Sequence, residues 1–314
     1  MKPITIIKNR SDIGAGTRGS DLGIDAIEIA AINQNNGFFN EHPFVDIPSH
    51  NETIYNKKFF EMKHRLGFVL EQCQRVCNSV SKILEQDQFP LILSGDHSSA
   101  FGSIAGIQKA YPDKTIGVLW IDAHADLHSP LSTPSGNVHG MPLAAALGFD
   151  NQNLAINEMN QETLTLWENL KKVGGDTPKV IPKHLLYFGV RNTEEPEDKV
   201  IKENNIKNYS VHEIRYRGLE LCVNETLNRL RDVDMIYISF DVDSMDCDLI
   251  SKGTGTPVSK GFDVDEVVEI IQKVMESKKV ISLEVTEVNP LLDNKGNRMA
   301  EAAFEVIQRL FQKN

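Results

Sequence analysis

Only four cysteines occur in 314 residues, at positions 73, 77, 222 and 247, and no two of them form a CxxC pair. A chain of this size held by disulfides needs a denser framework, so the thiols are expected to be reduced and the protein cytoplasmic. Cys73 and Cys77, four apart on an expected helix, read as small buried apolar residues. Long apolar runs are also missing. Nothing approaches the roughly 20 residues of a membrane span, and the opening "ITII" is too short for a signal-peptide core. Basic charge is in deficit, with 33 Lys and Arg against 44 Asp and Glu and a formal net charge of −11. That balance argues against nucleic acid or an anionic membrane as the main partner, and it is compatible with a small cationic substrate. Repeats, low-complexity tracts and linker-like breaks are absent too. The chain is therefore expected to form one α/β domain over 1–314.

What the sequence does have is alternation. Apolar, β-branched runs at 4–7 (ITII), 90–95 (PLILSG), 115–122 (TIGVLWID), 185–190 (LLYFGV), 235–243 (MIYISFDVD) and 280–287 (VISLEVTE) read as strands buried on both faces. Helical patterns lie between them. The clearest runs from about Lys57 to Gln86, with Leu66, Val69, Leu70, Cys73, Val76, Cys77, Val80, Ile83 and Leu84 on one stripe. Helices also fit 98–110, 263–277 and 299–312, which gives a mostly parallel sheet covered on both faces. The polar segment 149–183 reads as a surface excursion with one helix around Glu162–Lys172.

The chemistry gathers where strands end. "LWIDAHADLHSP" (119–130) closes an apolar run with Asp122, His124 and Asp126, each two residues apart. Alternate residues of a strand share a face, so the three converge if the extended geometry persists. "SFDVDSMD" repeats the pattern with Asp241 and Asp243, and "SGDHSSAFG" places His97 in the turn after another strand. In an open parallel sheet the carboxyl ends of neighbouring strands face one crevice. Taken singly, each residue has a plainer explanation: His97 as a cap of the next helix, an Asp as a turn former. Six together, four carboxylates and two imidazoles without a thiolate, suit a hard to borderline divalent ion, Mn²⁺ before Zn²⁺. Two ions account for six ligands better than one. Water held between two cations loses a proton near neutral pH, and the reaction class implied is metal-assisted hydrolysis.

In order along the chain, "GTRGSDLGIDAIEIA", "GDHS", "DAHAD", "SGNVHGMPLA", "SFDVDSMD", "GTGTPV" and "EVNP" resemble the ureohydrolase family, and within it the arginases. The resemblance implies a three-layer α/β sandwich around a parallel sheet and a binuclear manganese centre, two Mn²⁺ per chain. It also implies hydrolysis of L-arginine to L-ornithine and urea, and homo-oligomers, often trimers or hexamers. Carried over by position, His97, Asp122, Asp126 and Asp241 hold one ion, and Asp122, His124, Asp241 and Asp243 the other. Asp126 additionally orients the nucleophile. His139 matches a proton-shuttle histidine, suited by an imidazole pKa near ~6.5; otherwise it is a loop histidine bonded to backbone. Glu287 matches the acid that holds the guanidinium; otherwise it caps the turn before Pro290.

Thr133, Ser135 and Asn137 match positions that read the amino-acid end of arginine. Two residues depart from the pattern. His128 stands where many arginases have an asparagine on the α-carboxylate, and Glu194 where they have an aspartate near the α-ammonium; the register through "NTEEPE" also admits Glu195. The runner-up reading is a ureohydrolase acting on agmatine, a guanidino acid or formiminoglutamate. A catalytically silent binding subunit, marked by no urea release, and a one-zinc deacetylase-like hydrolase are the more distant alternatives.

Overall fold

The computed structural model describes residues 2–55 and 61–311. Its eight strands are β1 (Ile4–Asn9), β2 (Phe44–Ile47), β3 (Phe89–Ser94), β4 (Ile116–Ile121), β5 (Leu185–Phe188), β6 (Lys207–Tyr209), β7 (Met235–Asp241) and β8 (Val280–Thr286). They form one sheet in the order β2, β1, β3, β8, β7, β4, β5, β6, with every neighbouring pair parallel. The mostly parallel sheet expected from sequence is thus wholly parallel. Alternate residues of β7 show why its pattern is continuously apolar: Ile236, Ile238 and Phe240 enter one core cluster, Met235 and Tyr237 the other. Helices on each face complete these clusters, giving the three layers.

The chain runs from β3 to β4 across the gap later filled by β8 and β7. The carboxyl ends of β3, β8, β7 and β4 therefore lie side by side, the position where open parallel sheets bind ligands. Register is tight there, with Ile121 opposite Phe240 and Asp241 opposite Thr286.

All six expected strands are present, and two more close the edges. β2 leaves three of its four residues exposed, and β6 has three residues, so neither carries the apolar run of a strand covered on both faces. The expected helices from 98 and 263 appear as Ala100–Ala110 and Val264–Met275. The long helix starts at Met62 and ends at Glu85; of the expected span, Lys57 to Phe60 lie outside the described residues. The last helix, Arg298–Phe311, matches 299–312 up to Gln312, which also lies outside them. The segment 149–183 is more than a surface excursion, because its helix Gln161–Lys171 buries Trp167 and Leu170 in the core. All four cysteines are free and buried. Among the described residues, no helix is long and apolar enough to cross a membrane.

The helix Ala100–Ala110 grows directly from the His97 turn, so its seating on Met62–Glu85 positions the site. Contact is at backbone distance: a Cβ on Gly102 would sit 2.6 Å from the Cys73 carbonyl oxygen, and one on Gly106 2.7 Å from Val80 Cβ. In an exposed helix Gly→Ala stabilises by about 1 kcal/mol. Here overpacking opposes that gain by roughly 1–3 kcal/mol. Gly102→Ala is expected to lower the denaturant midpoint, and a raised midpoint would contradict this account of the seating.

Candidate metal centre and substrate pocket

Past β3, Asp96 and not His97 caps the next turn, its carboxylate accepting the Ser98 N–H at 2.7 Å and the Gly14 N–H at 2.8 Å. His97 is thereby free to face inward. Its ring stacks on Trp120 at 4.1 Å between centroids, and its Nε2 lies 2.7 Å from Ser239 Oγ. With that nitrogen engaged, Nδ1 faces one Oδ2 each of Asp122, Asp126 and Asp241, all at 3.1 Å.

The convergence has a different origin from the alternation expected of a continuing strand. β4 ends at Ile121, and Asp126 takes a left-handed φ of 53°. The "DAH" and "DVD" turns are built alike. Asp122 Oδ1 accepts the His124 N–H at 2.7 Å, and Asp241 Oδ1 accepts the Asp243 N–H at 2.8 Å. Each first acid spends one oxygen closing its own turn and aims the other at His97. Asp243 accepts the Ala123 N–H and the Thr256 hydroxyl, and its Oδ2 is 2.9 Å from His124 Nδ1; Asp122 Oδ1 is 3.5 Å from the same nitrogen. Two ligand groups result, one around His97 and one around His124, with Asp122 in both.

The donor chemistry fits divalent cations. His97 Nδ1 and Asp122 Oδ2 are buried and 3.1 Å apart, yet neither has a hydrogen bond. The imidazole nitrogen and the carboxylate oxygens aim at common space. Burial and the Asp243 charge push the Asp241 carboxyl well above its ordinary range. Burial alone would lower the His97 imidazole, but the surrounding carboxylates hold it well above its ordinary range. Neutralising cations relieve both conditions.

A cavity of about 280 Å³ opens over this floor. On one wall, Glu287 at the end of β8 has a left-handed φ of 67°, a costly conformation for a long side chain. Its Oε1 accepts the His97 N–H and lies 2.9 Å from His139 Nδ1. It does not cap the turn before Pro290; Asn289 makes that turn, accepting the Leu291 N–H. His139 is likewise more than a loop histidine. Burial lowers its pKa, and the Glu287 carboxylate outweighs this and raises it.

The lining also brings together Thr133, Ser135, Asn137, His128 and Glu194. His128 faces Glu194 within the lining, its Nε2 2.6 Å from Glu194 Oε2. Glu195 lies outside, paired with Lys199. Three contributors escaped the sequence reading. Arg65, on the long helix, donates to Asn137 Oδ1 at 3.0 Å and to the Gly136 carbonyl at 2.8 Å, which ties the loop to the helix. Ser239 orients His97. Glu197 accepts the Leu127 and Glu194 amides. Of these, only Glu197 had a sequence signal, as the third residue of a helix opened by Glu194.

The sequence model described as Arginase family matches residues 2–312. The arginase of Bacillus subtilis strain 168 is 35% identical over 314 residues, covering 99% of this chain and 98% of that protein. The arginase of Bacillus caldovelox is 34% identical, with the same coverage. The crystal structure of the Bacillus caldovelox arginase, native at pH 5.6, superposes with a TM-score of 0.84 at 33% identity, covering 100% of this chain and 99% of that chain. The matches in sequence and in structure span nearly the whole chain, and the chain belongs to the arginase family.

Proposed function

We propose that the protein hydrolyses the guanidinium group of L-arginine to L-ornithine and urea at a centre of two Mn²⁺ ions. The observation that carries this reading is the pair of ligand groups around His97 and His124 that share Asp122, on the floor of a cavity with Glu287 in its wall. We assign His97, Asp122, Asp126 and Asp241 to one ion, and Asp122, His124, Asp241 and Asp243 to the other. Carboxylate and imidazole donors without thiolate favour manganese over zinc. When bound, the two cations supply Lewis-acid charge that brings the pKa of a coordinated water toward neutrality.

The protein's own groups supply position and proton traffic. Glu287, 2% exposed, offers its carboxylate to the guanidinium in a charge-assisted contact. Asp126, in the cavity floor, orients the nucleophile. His139 reaches the cavity, keeps part of its ring accessible, and carries protons between solvent and site. Thr133, Ser135 and Asn137 read the α-carboxylate, while the His128–Glu194 pair meets the α-ammonium. The net charge of −11 suits a small cationic substrate. Free, reduced thiols fit a cytoplasmic setting. A single domain over 1–314 follows from length and composition, and its assembly as a trimer or hexamer is carried over from the family resemblance alone.

A substrate panel with manganese-loaded protein, scored for urea, tests the reading. Arginine is expected to exceed agmatine in kcat/KM by about 10- to 100-fold, the worth of one charge-assisted contact to the carboxylate. A preference for agmatine would move the assignment to another ureohydrolase. Arg65→Ala is expected to raise the KM for arginine about tenfold and leave agmatine unchanged, whereas equal losses on both substrates would refute its part in reading the carboxylate. Glu287→Gln, which keeps an oxygen for the His97 amide, is expected to retain both ions and lose about 100-fold in kcat/KM. His139→Ala should also retain both ions and lose turnover that added imidazole partly restores; loss of metal would recast His139 as structural.

A further inference from the structure

We propose that His128, Glu194 and Glu197 form a separate cation site in the cavity wall, taking a borderline divalent ion of the zinc type, and that its occupancy excludes the substrate's α-ammonium. The cation site stands on its own geometry, while the exclusion rests on the reading of Glu194 at the amino-acid end of the substrate. The donor atoms lie within 4.8 Å of one another, with His128 Nε2 2.6 Å from Glu194 Oε2 and 3.7 Å from Glu197 Oε2. None of the three residues belongs to the groups around His97 and His124.

Two observations point to a ligand. First, His128 is 7% exposed, and its Nε2 is buried with no hydrogen bond although a carboxylate oxygen touches it. The carboxylate lies off the direction along which a ring N–H donates. His97 Nδ1 shows the same signature, in contact with three carboxylates and bonded to none. The ring is also held in place, with Nδ1 3.2 Å from Ser132 Oγ and Nε2 turned toward the acids.

Second, Glu197 is 5% exposed, its two oxygens accept the Leu127 and Glu194 amides, and its one ion-pair partner among the described residues is His128, at 3.7 Å. Glu194 likewise pairs only with His128 among them. A buried carboxylate beside a second carboxylate, with one imidazole between them, is short of positive charge. One imidazole nitrogen and two carboxylate oxygens make a three-ligand set with an open position, as zinc sites use. An asparagine at position 128 would supply no such nitrogen.

The test loads the protein with Mn²⁺, dialyses it against micromolar Zn²⁺, and counts both metals in the same sample by elemental analysis. The wild type is expected to gain one zinc with its manganese unchanged. His128→Asn should gain none, and the exposed Glu194→Gln should bind zinc at least about tenfold more weakly. Calorimetric titration with zinc should show about tenfold weaker binding when ornithine, which carries the α-ammonium, saturates the cavity. No added zinc, zinc gained only as manganese is lost, or zinc retained equally by both variants would overturn the site. Indifference to ornithine would overturn the exclusion. A wild type that takes zinc through His128 but holds fewer than two manganese ions would sink the binuclear reading and leave this site standing.

Discussion

The structure turns on crowding four carboxylates into one buried volume. Asp122, Asp241 and Asp243 are almost wholly inaccessible and Asp126 nearly so, and three of the four meet at a single ring nitrogen. Such an arrangement is costly by desolvation and mutual repulsion, and it persists where the backbone enforces it and positive charge completes it. The backbone does so economically in geometry. Each leading acid closes its own turn through the amide two residues on, and Ala123 in one turn donates to Asp243 in the other. The left-handed backbone at Asp126 and Glu287 belongs to the same constraint, because both acids must turn back toward a floor that extended chain would pass by.

The parallel sheet supplies the rest. β3, β8, β7 and β4 are neighbours with a common direction, so His97, Glu287, Asp241 and Asp122 leave the sheet at one level though they span almost 200 residues of sequence. Cores on both faces hold that level fixed. Helices then act from outside the floor: Met62–Glu85 sends Arg65 to the loop at Gly136 and Asn137, and Glu195–Glu203 places Glu197 against the Glu194 amide. The acid and histidine cluster lies on strand ends, and the outer lining of the cavity on loops tied to helices.

That division explains what could be read from the residues alone. Central strands bury both faces and so appear as apolar runs; β2 and β6, covered on one side only by a partner strand, do not. The ligand residues sit in compact motifs whose internal spacing is visible, although the spacing suggested continued strand where the chain actually turns. His128 and Glu194 were legible as departures, but their mutual contact was not, because it depends on how two loops 66 positions apart fold over one cavity. Arg65 was invisible for a similar reason. Nothing in a helix pattern marks the one arginine that reaches a loop more than 70 residues away.

The central claim is that this acid cluster is organised by two cations sharing Asp122. Anomalous diffraction at the manganese edge, from crystals grown with Mn²⁺, tests it most directly. The account predicts two peaks, one bonded to His97 Nδ1 and one to His124 Nδ1, with the Asp122 carboxylate contacting both. A single peak, or one that leaves His124 without a metal contact, would contradict it.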